Sequence, residues 1–226
     1  MTGIMMTFLY SHPSCLLHDP GSMHPECPER LKAVLEGLND KAFKSLQRHE
    51  APKIDVRQVE LVHTPYYVQN IIETSPEKGR VQLDADTLMS SHSLEAAMRS
   101  SGAAVEAVDR VMAGDAKNVF CAVRPPGHHA EGARAMGFCL FNGVAIAAFH
   151  ARSAHSLDRV AVIDFDVHHG NGTQNSFEQE PGLFYASSHQ SPAYPGTGNE
   201  DETGCANNIC NAPLPPGSGS EEFKSV

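Results

Sequence analysis

The stretch Val160-Ala161-Val162-Ile163-Asp164-Phe165-Asp166-Val167-His168-His169-Gly170-Asn171-Gly172 decides how the rest of the chain reads. Its first half is a short run rich in Val and Ile, the composition of a strand buried on both faces. Its second half turns polar and ends in glycines, the composition of a loop. Side chains on a strand alternate between faces, so Asp164, Asp166 and His168 would point one way at the carboxyl end, with Phe165 and Val167 on the other face. Carboxylate oxygen together with imidazole nitrogen suits a catalytic zinc or iron centre, which takes three protein ligands and leaves a position for water. The same residues also read as an exposed polar strand end, with the acids capping a following helix and the histidines solvated.

Just upstream, Asn118 to Val123 is a continuous apolar strand that breaks at Arg124-Pro125-Pro126-Gly127 and delivers His128-His129. A helix from about Asn142 to Ala154 connects it to the Val160 strand. Strand, helix, strand in series implies a parallel sheet covered by helices on both faces. Ligands of such sheets bind beyond the carboxyl ends of the strands, so both polar clusters would open on one crevice.

Further out, Thr7 to Tyr10 reads as a first strand, and a helix begins at Pro28 with Leu31, Val34, Leu35 and Leu38 at helical spacing. Arg30 falls in its first turn, where a cation opposes the helix dipole. It therefore either serves another purpose or is a solvated surface arginine. Ile54 to Val62 alternates like a strand, Thr64-Pro65 opens a helix, and a long helix runs from Ser93 to Met112, ended by Gly114. Downstream, Leu183 to Ala186 is a short strand ending in Ser187-Ser188-His189. Tyr194-Pro195-Gly196-Thr197-Gly198 is a tight turn, Asn208 to Leu214 a further strand, and Ser220 a helix cap.

At 226 residues the chain is long enough for one sizeable core, and no tail or repeat argues for a second domain. The net charge of -10 and the lack of any basic run argue against a nucleic-acid binder. Met1 to Tyr10 lacks the basic n-region of a signal peptide, and nowhere do about 18 apolar residues run together, so a cytoplasmic protein with no membrane partner is expected. The six cysteines form no CxxC pair and read as buried, reduced thiols. Cys15-x2-His18 with His24-x2-Cys27 has the spacing of a structural zinc site, although the loop between them is short and crowded.

Arg124-Pro125-Pro126-Gly127-His128-His129, Gly137-Phe138-Cys139, the Asp164 to Gly172 segment and Tyr194-Pro195-Gly196-Thr197-Gly198 together resemble the zinc-dependent histone deacetylase superfamily. The likeness is to class II-like bacterial deacetylases and acetylpolyamine amidohydrolases, and it runs from His24 to Glu222. The resemblance implies the arginase/deacetylase-like fold, an open parallel α/β sheet with helices on both faces. It also implies hydrolysis of an N-acetyl amide, of acetyl-lysine or acetylpolyamine, to amine and acetate. Carried over by position, Asp166 and His168 become zinc ligands, iron being the alternative metal, and His128 and His129 the pair that handles protons. Asp164 would hold His128 and Asn171 would hold His129. A carboxylate partner favours the imidazolium and an amide partner does not, so the two rings can differ in protonation, with His129 as general base. A structural potassium ion would use Asp164, Asp166, His168, Ser187 and Ser188. Gly137, Phe138 and Tyr194 would line a narrow substrate tunnel, Asp86 its rim and Arg30 its inner channel. Ordinary core packing is the other reading of the aromatic residues.

The sequence departs from the family in lacking its downstream Asp-Ala-His segment, which carries a third zinc ligand, and the later glycine-rich loop with the transition-state tyrosine. Two ligands hold zinc poorly compared with three, and a lost oxyanion donor costs about 10²–10³ in rate. The chain is therefore expected to be a single, partial deacetylase domain over 1–226, missing the C-terminal part of the fold. The alternative is a non-catalytic remnant. A sheet lacking its last strands would expose an apolar edge and invite pairing, so a homo-oligomer is one expectation.

Overall fold

The computed structural model describes residues 6–226, so the Met1 to Met5 part of the opening stretch lies outside the described residues. The chain begins with β1 (Thr7–Ser11), whose Phe8, Leu9 and Tyr10 are buried, and a single turn, α1 (Ser14–Leu17). α2 (Pro28–Gly37) starts at its proline, in the turn where a backbone N–H has no helical partner, and buries Leu31. β2 (Gln47–Glu50) was not legible in the sequence, because Gln47-Arg48-His49-Glu50 is a polar run, tolerable only at a sheet edge.

The expected strand from Ile54 to Val62 is instead the turn of helix α3 (Val56–Val59). Asp55 accepts from the Arg57 amide at 2.8 Å, and Gln58 Oε1 accepts from the Asp55 amide at 3.3 Å. This reciprocal capping box outweighs the apolar alternation. α4 (Pro65–Thr74) follows as predicted, with Thr64 Oγ1 accepting from the Tyr67 amide at 3.3 Å. An antiparallel hairpin, β3 (Arg80–Gln82) with β4 (Leu88–Ser90), frames the acidic loop at 83–87.

α5 (Ser93–Met112) has the predicted bounds; then come β5 (Asn118–Cys121) and α6 (Gly143–His155), which Asn142 caps by accepting from the Ala145 amide at 3.1 Å. The chain continues through β6 (Val160–Asp164), α7 (Asn171–Phe177), β7 (Leu183–Gln190), β8 (Ile209–Leu214) and α8 (Ser220–Lys224). Ser220 does not cap α8: Gly219 stands at that position, and its amide donates to Glu222 Oε2 at 2.8 Å.

The protein is a parallel-sheet α/β structure. Its strands form two three-stranded parallel sheets, in the orders β2-β1-β5 and β6-β7-β8. The single open sheet expected from the sequence is therefore divided, because β5 and β6 are not paired. For the same reason β6 is not buried on both faces. Val160 and Val162 pack on the cluster of Ala145, Phe177 and Tyr185. In contrast, Ile163 is 63 % exposed, Phe165 76 % and Val167 57 %. A strand bonded on only one edge lacks the surroundings that bury a central parallel strand. Between β5 and β6 runs a groove of about 690 Å³, walled by Val123, Ile163 and Phe165 and floored by α5 and α6.

All six cysteines are free, but Cys205 and Cys210 are exposed, against the expectation of buried thiols. The Cys15, His18, His24, Cys27 set does not close on a metal. His18 spends both ring nitrogens, on Ser93 Oγ at 2.6 Å and Glu26 Oε2 at 3.2 Å, and His24 Nε2 bonds the Asp86 carbonyl. No described helix is long and apolar enough to cross a membrane.

Candidate active site

The loop after β5 and the start of α7 are clamped together, and this places the histidine doublet. The Thr173 amide donates to the His128 carbonyl at 3.1 Å. Gly172 lies so close that a Cβ there would meet the Ala130 carbonyl oxygen at 2.2 Å, so only glycine fits. His128 Nδ1 then lies 2.8 Å from Asp164 Oδ2, and His129 Nδ1 lies 2.9 Å from Asn171 Oδ1, with the two rings 4.0 Å apart. The orientation of the Asn171 amide follows from its other end, since Nδ2 donates to Glu131 Oε1 at 2.8 Å. With Oδ1 accepting, His129 carries its proton on Nδ1 and leaves Nε2 as the lone-pair nitrogen. Burial pushes the His129 pKa down to about 4, the neighbouring His128 charge adding to it, so the ring is neutral at ordinary pH.

Asp164, Asp166 and His168 do come together, but strand alternation is not the cause. β6 ends at Asp164, and each acid then folds the chain over itself: the Asp166 amide donates to Asp164 Oδ1 at 3.1 Å and the His168 amide to Asp166 Oδ1 at 2.8 Å. These are Asx-type turns. The acids do not cap α7, whose N-cap is Gly170 with no side-chain bond. Asp164 also accepts from the Tyr185 hydroxyl at 3.1 Å. Burial works to raise its pKa, but the His128 hydrogen bond and charge outweigh it and hold Asp164 below the usual carboxylate range.

Asp166 Oδ1 and His168 Nδ1 are 3.4 Å apart. Two donors each about 2.1 Å from a tetrahedral ion lie about 3.4 Å apart, so this pair fits one zinc-sized cation. Among the described residues, no third His, Cys, Asp or Glu joins them within ligand reach. The His168 and His129 ring centroids are 5.9 Å apart, and Tyr194 stands edge-on to both, at 6.0 and 5.1 Å. The Tyr194 hydroxyl is pushed up to about 12 by burial, then by Asp86 and Asp84, so it stays protonated.

Gly137 lies against the His129 ring, where a Cβ would meet Cδ2 at 2.2 Å, and its φ of 56° is also one that glycine accepts freely. Asp86 Oδ1 accepts from the Gly137 amide at 3.1 Å, and Thr87 Oγ1 accepts from the Phe138 amide at 3.0 Å. Phe138 is half-buried against the edge of His24. Ser187 pairs in register with Asp164 and bonds His189 Nδ1 at 2.9 Å. Ser188 faces the other way, into a cavity beside Asp166 and Val167. Arg30 is not among the gathered groups: it is exposed on α2, over a groove shared with Arg124 and Pro126.

Sequence reasoning missed the buried support of this loop. Arg124 grips Glu26 through Nε and Nη2, and its Nη1 donates to the carbonyls of Cys15 and His18 at 2.6 and 3.2 Å. Nothing in the spacing links residues 98 positions apart. Tyr185 was also missed, although its parity with Ser187 on β7 was there to be read.

With this geometry in hand, comparison with known proteins is specific. The histone deacetylase domain family matches residues 24–226. An uncharacterised protein of Synechocystis is 38% identical over 98% of this chain and 73% of its own length. A probable deacetylase of Archaeoglobus fulgidus is 34% identical over 98% of the chain and 63% of its own, and the human polyamine deacetylase HDAC10 is 40% identical over 77% and 27%. The crystal structure of the HDA15 HD domain superposes with a TM-score of 0.87 at 35% identity, over 92% of this chain and 62% of that one. The chain thus spans little more than half to three quarters of the length of several relatives, and it belongs to the histone deacetylase family.

Proposed function

We propose that this single, partial domain carries the proton-handling half of a zinc-dependent deacetylase centre that hydrolyses an N-acetyl amide to a free amine and acetate. The observation that carries the reading is His129, bonded through Nδ1 to Asn171 with its ring 5.9 Å from that of His168, beside the Asp166 and His168 donor pair. Asp166 and His168, with a third ligand, would hold zinc or iron, which would supply Lewis acidity toward the acetyl carbonyl. The protein's own groups do the rest. His129 Nε2 takes a proton from the attacking water as the new C–O bond forms. When the C–N bond breaks, the departing nitrogen receives a proton from the histidine pair, so a neutral water divides between acetate and amine. His128, held by the Asp164 carboxylate, sits as the second proton store of that pair. Tyr194 and Phe138 wall the substrate, and Asp86 fixes the rim by holding Gly137; a structural potassium ion would be held by Asp164, Asp166, His168, Ser187 and Ser188, the last without its hydroxyl, which faces the other way, and would brace the turn.

Acetyl-lysine and acetylpolyamine are the substrate classes we assign; two similar proteins are named polyamine deacetylases. The acidic charge balance supports neither a nucleic-acid nor a membrane partner. The test is turnover of a fluorogenic acetyl-lysine peptide and of an acetylated polyamine by zinc-loaded protein, with hydroxamate inhibition and loss in His129→Ala. Folded, zinc-loaded protein that turns over neither substrate would leave family membership standing and remove the activity, as a non-catalytic remnant requires.

A further inference from the structure

A second cluster of metal-ligating side chains lies away from the histidine doublet, near the carboxyl ends of α5 and α6. His150 Nε2 and His155 Nε2, both on α6, point at the same oxygen of Asp109 on α5, at 2.7 and 2.6 Å. The two imidazoles meet edge to face with centroids 5.7 Å apart. One donor atom from each of the three residues falls within 4.8 Å of the others, and no other such group of three occurs among the described residues. Asn142, which abuts the doublet's loop, is about 12 Å of helix from His150 and about 20 Å from His155 at 1.5 Å per residue. The cluster is therefore independent of the deacetylase centre, and nothing in the chemistry proposed above uses it.

Two imidazoles and one carboxylate form a donor set that selects a borderline divalent ion over calcium or magnesium, which prefer all-oxygen sites. The arrangement is also accessible. His150 is nearly buried, whereas His155 and Asp109 are partly open, so the three donors face an approach from solvent where water can complete the shell. The Gln58 side-chain amide donates to His150 Nδ1 at 3.5 Å, which leaves Nε2 as the ring nitrogen turned toward Asp109. Burial works to raise the Asp109 pKa, but the hydrogen bonds from His155 and His150 hold it below the usual carboxylate range, which keeps the oxygen donor charged. Replacing the two bridging protons by one cation needs the nitrogen-to-oxygen distances to open only to about 3.4 Å, the spacing of neighbouring zinc ligands.

We propose that Asp109, His150 and His155 bind a second divalent transition-metal ion of the zinc class, which ties the ends of α5 and α6 together. The test strips the 226-residue protein with chelator and titrates it with Zn²⁺ against a chromophoric competitor. The variant D166A/H168A, which silences the other centre, is expected to keep one equivalent. Adding His155→Ala should weaken that equivalent at least tenfold and abolish the Zn²⁺-induced rise in Tm. Because alanine at a helix end could act through folding, His155→Cys is the companion: it should retain the ion and give a thiolate-to-Co²⁺ charge-transfer band in the near ultraviolet. If D166A/H168A binds no zinc while folded, if His155→Ala binds as tightly as its parent, or if His155→Cys gives no band, Asp109 is an ion-pair hub only and the second site is overturned. None of these outcomes depends on whether the protein deacetylates anything.

Discussion

His129 is poised by a neighbour two bonds removed from it. Asn171 can present either end of its amide to the ring, and the Glu131 carboxylate, the nearest of the acceptors around Nδ2, turns the oxygen inward. Glu131→Gln, whose own amide can donate as well as accept, should release that constraint and lower kcat by about tenfold, equivalent to about 1.4 kcal/mol, with KM nearly unchanged. A pH–rate profile separates positioning from folding, because a freed tautomer also moves the acid limb. An unchanged profile with unchanged kcat would show that Glu131 does not orient the amide. The pairs His128 with Asp164 and His129 with Asn171 were legible only through the likeness of their motifs to the deacetylase family. Glu131 was not, since one glutamate in a loop carries no mark of its partner until the chain is folded. Arg30 stands in the first turn of α2, exposed over the groove it shares with Arg124 and Pro126, as the reading of a surface arginine has it.

At the scale of the element, local capping beats periodicity where the two conflict. The stretch from Ile54 to Val62 has the alternation of a strand, but Asp55 and Gln58 satisfy each other's backbone amides and start a helix. Asp55→Ala should therefore cost about 1 kcal/mol in urea unfolding. The loss should leave the Asp166 and His168 pair untouched, because α3 packs on α6 and reaches the histidines of that helix only through Gln58, away from the doublet. A change below about 0.3 kcal/mol would mean that the box contributes nothing net. The Val160 to Gly172 segment is legible as a strand giving way to a loop, but strand parity does not bring its acids together. The structure assigns their convergence to successive Asx turns, which any Asp-x-Asp-x-His run can make once the ladder stops at Asp164.

Across the whole molecule, several histidines are held uncharged, and this sets the response to acid. His63 is buried with Nδ1 donating to the Glu131 carbonyl and Nε2 accepting from the Asn142 amide, and burial pushes its pKa down to about 4. His169, bonded to Thr197 and Gln174, is likewise pushed down to about 4 by burial. The unfolded chain takes up these protons near pH 6.5 and the folded protein only near 4. Stability therefore falls as pH drops through that window, by at most about 1.4 kcal/mol per pH unit for each ring, and the loss levels off below it. Urea midpoints at pH 7.0, 5.5 and 4.5 should descend in order, and equal midpoints would show that neither ring is held neutral. The overall α/β architecture could be inferred from the strand and helix series. The division into two sheets could not, because pairing between β5 and β6 depends on what lies between them and not on either strand's composition.

The guanidinium of Arg124 makes the start of the chain a keel for the reaction centre. Its charge is fully enclosed, so Glu26 cannot be altered by itself without stranding a cation in the interior, a change that typically costs about 3–5 kcal/mol. Arg124 also opens the loop that carries the doublet. A lesion at Glu26 would therefore announce itself as misaligned histidines far along the sequence, and only a joint replacement of acid and base could move the pair without tilting what rides on it.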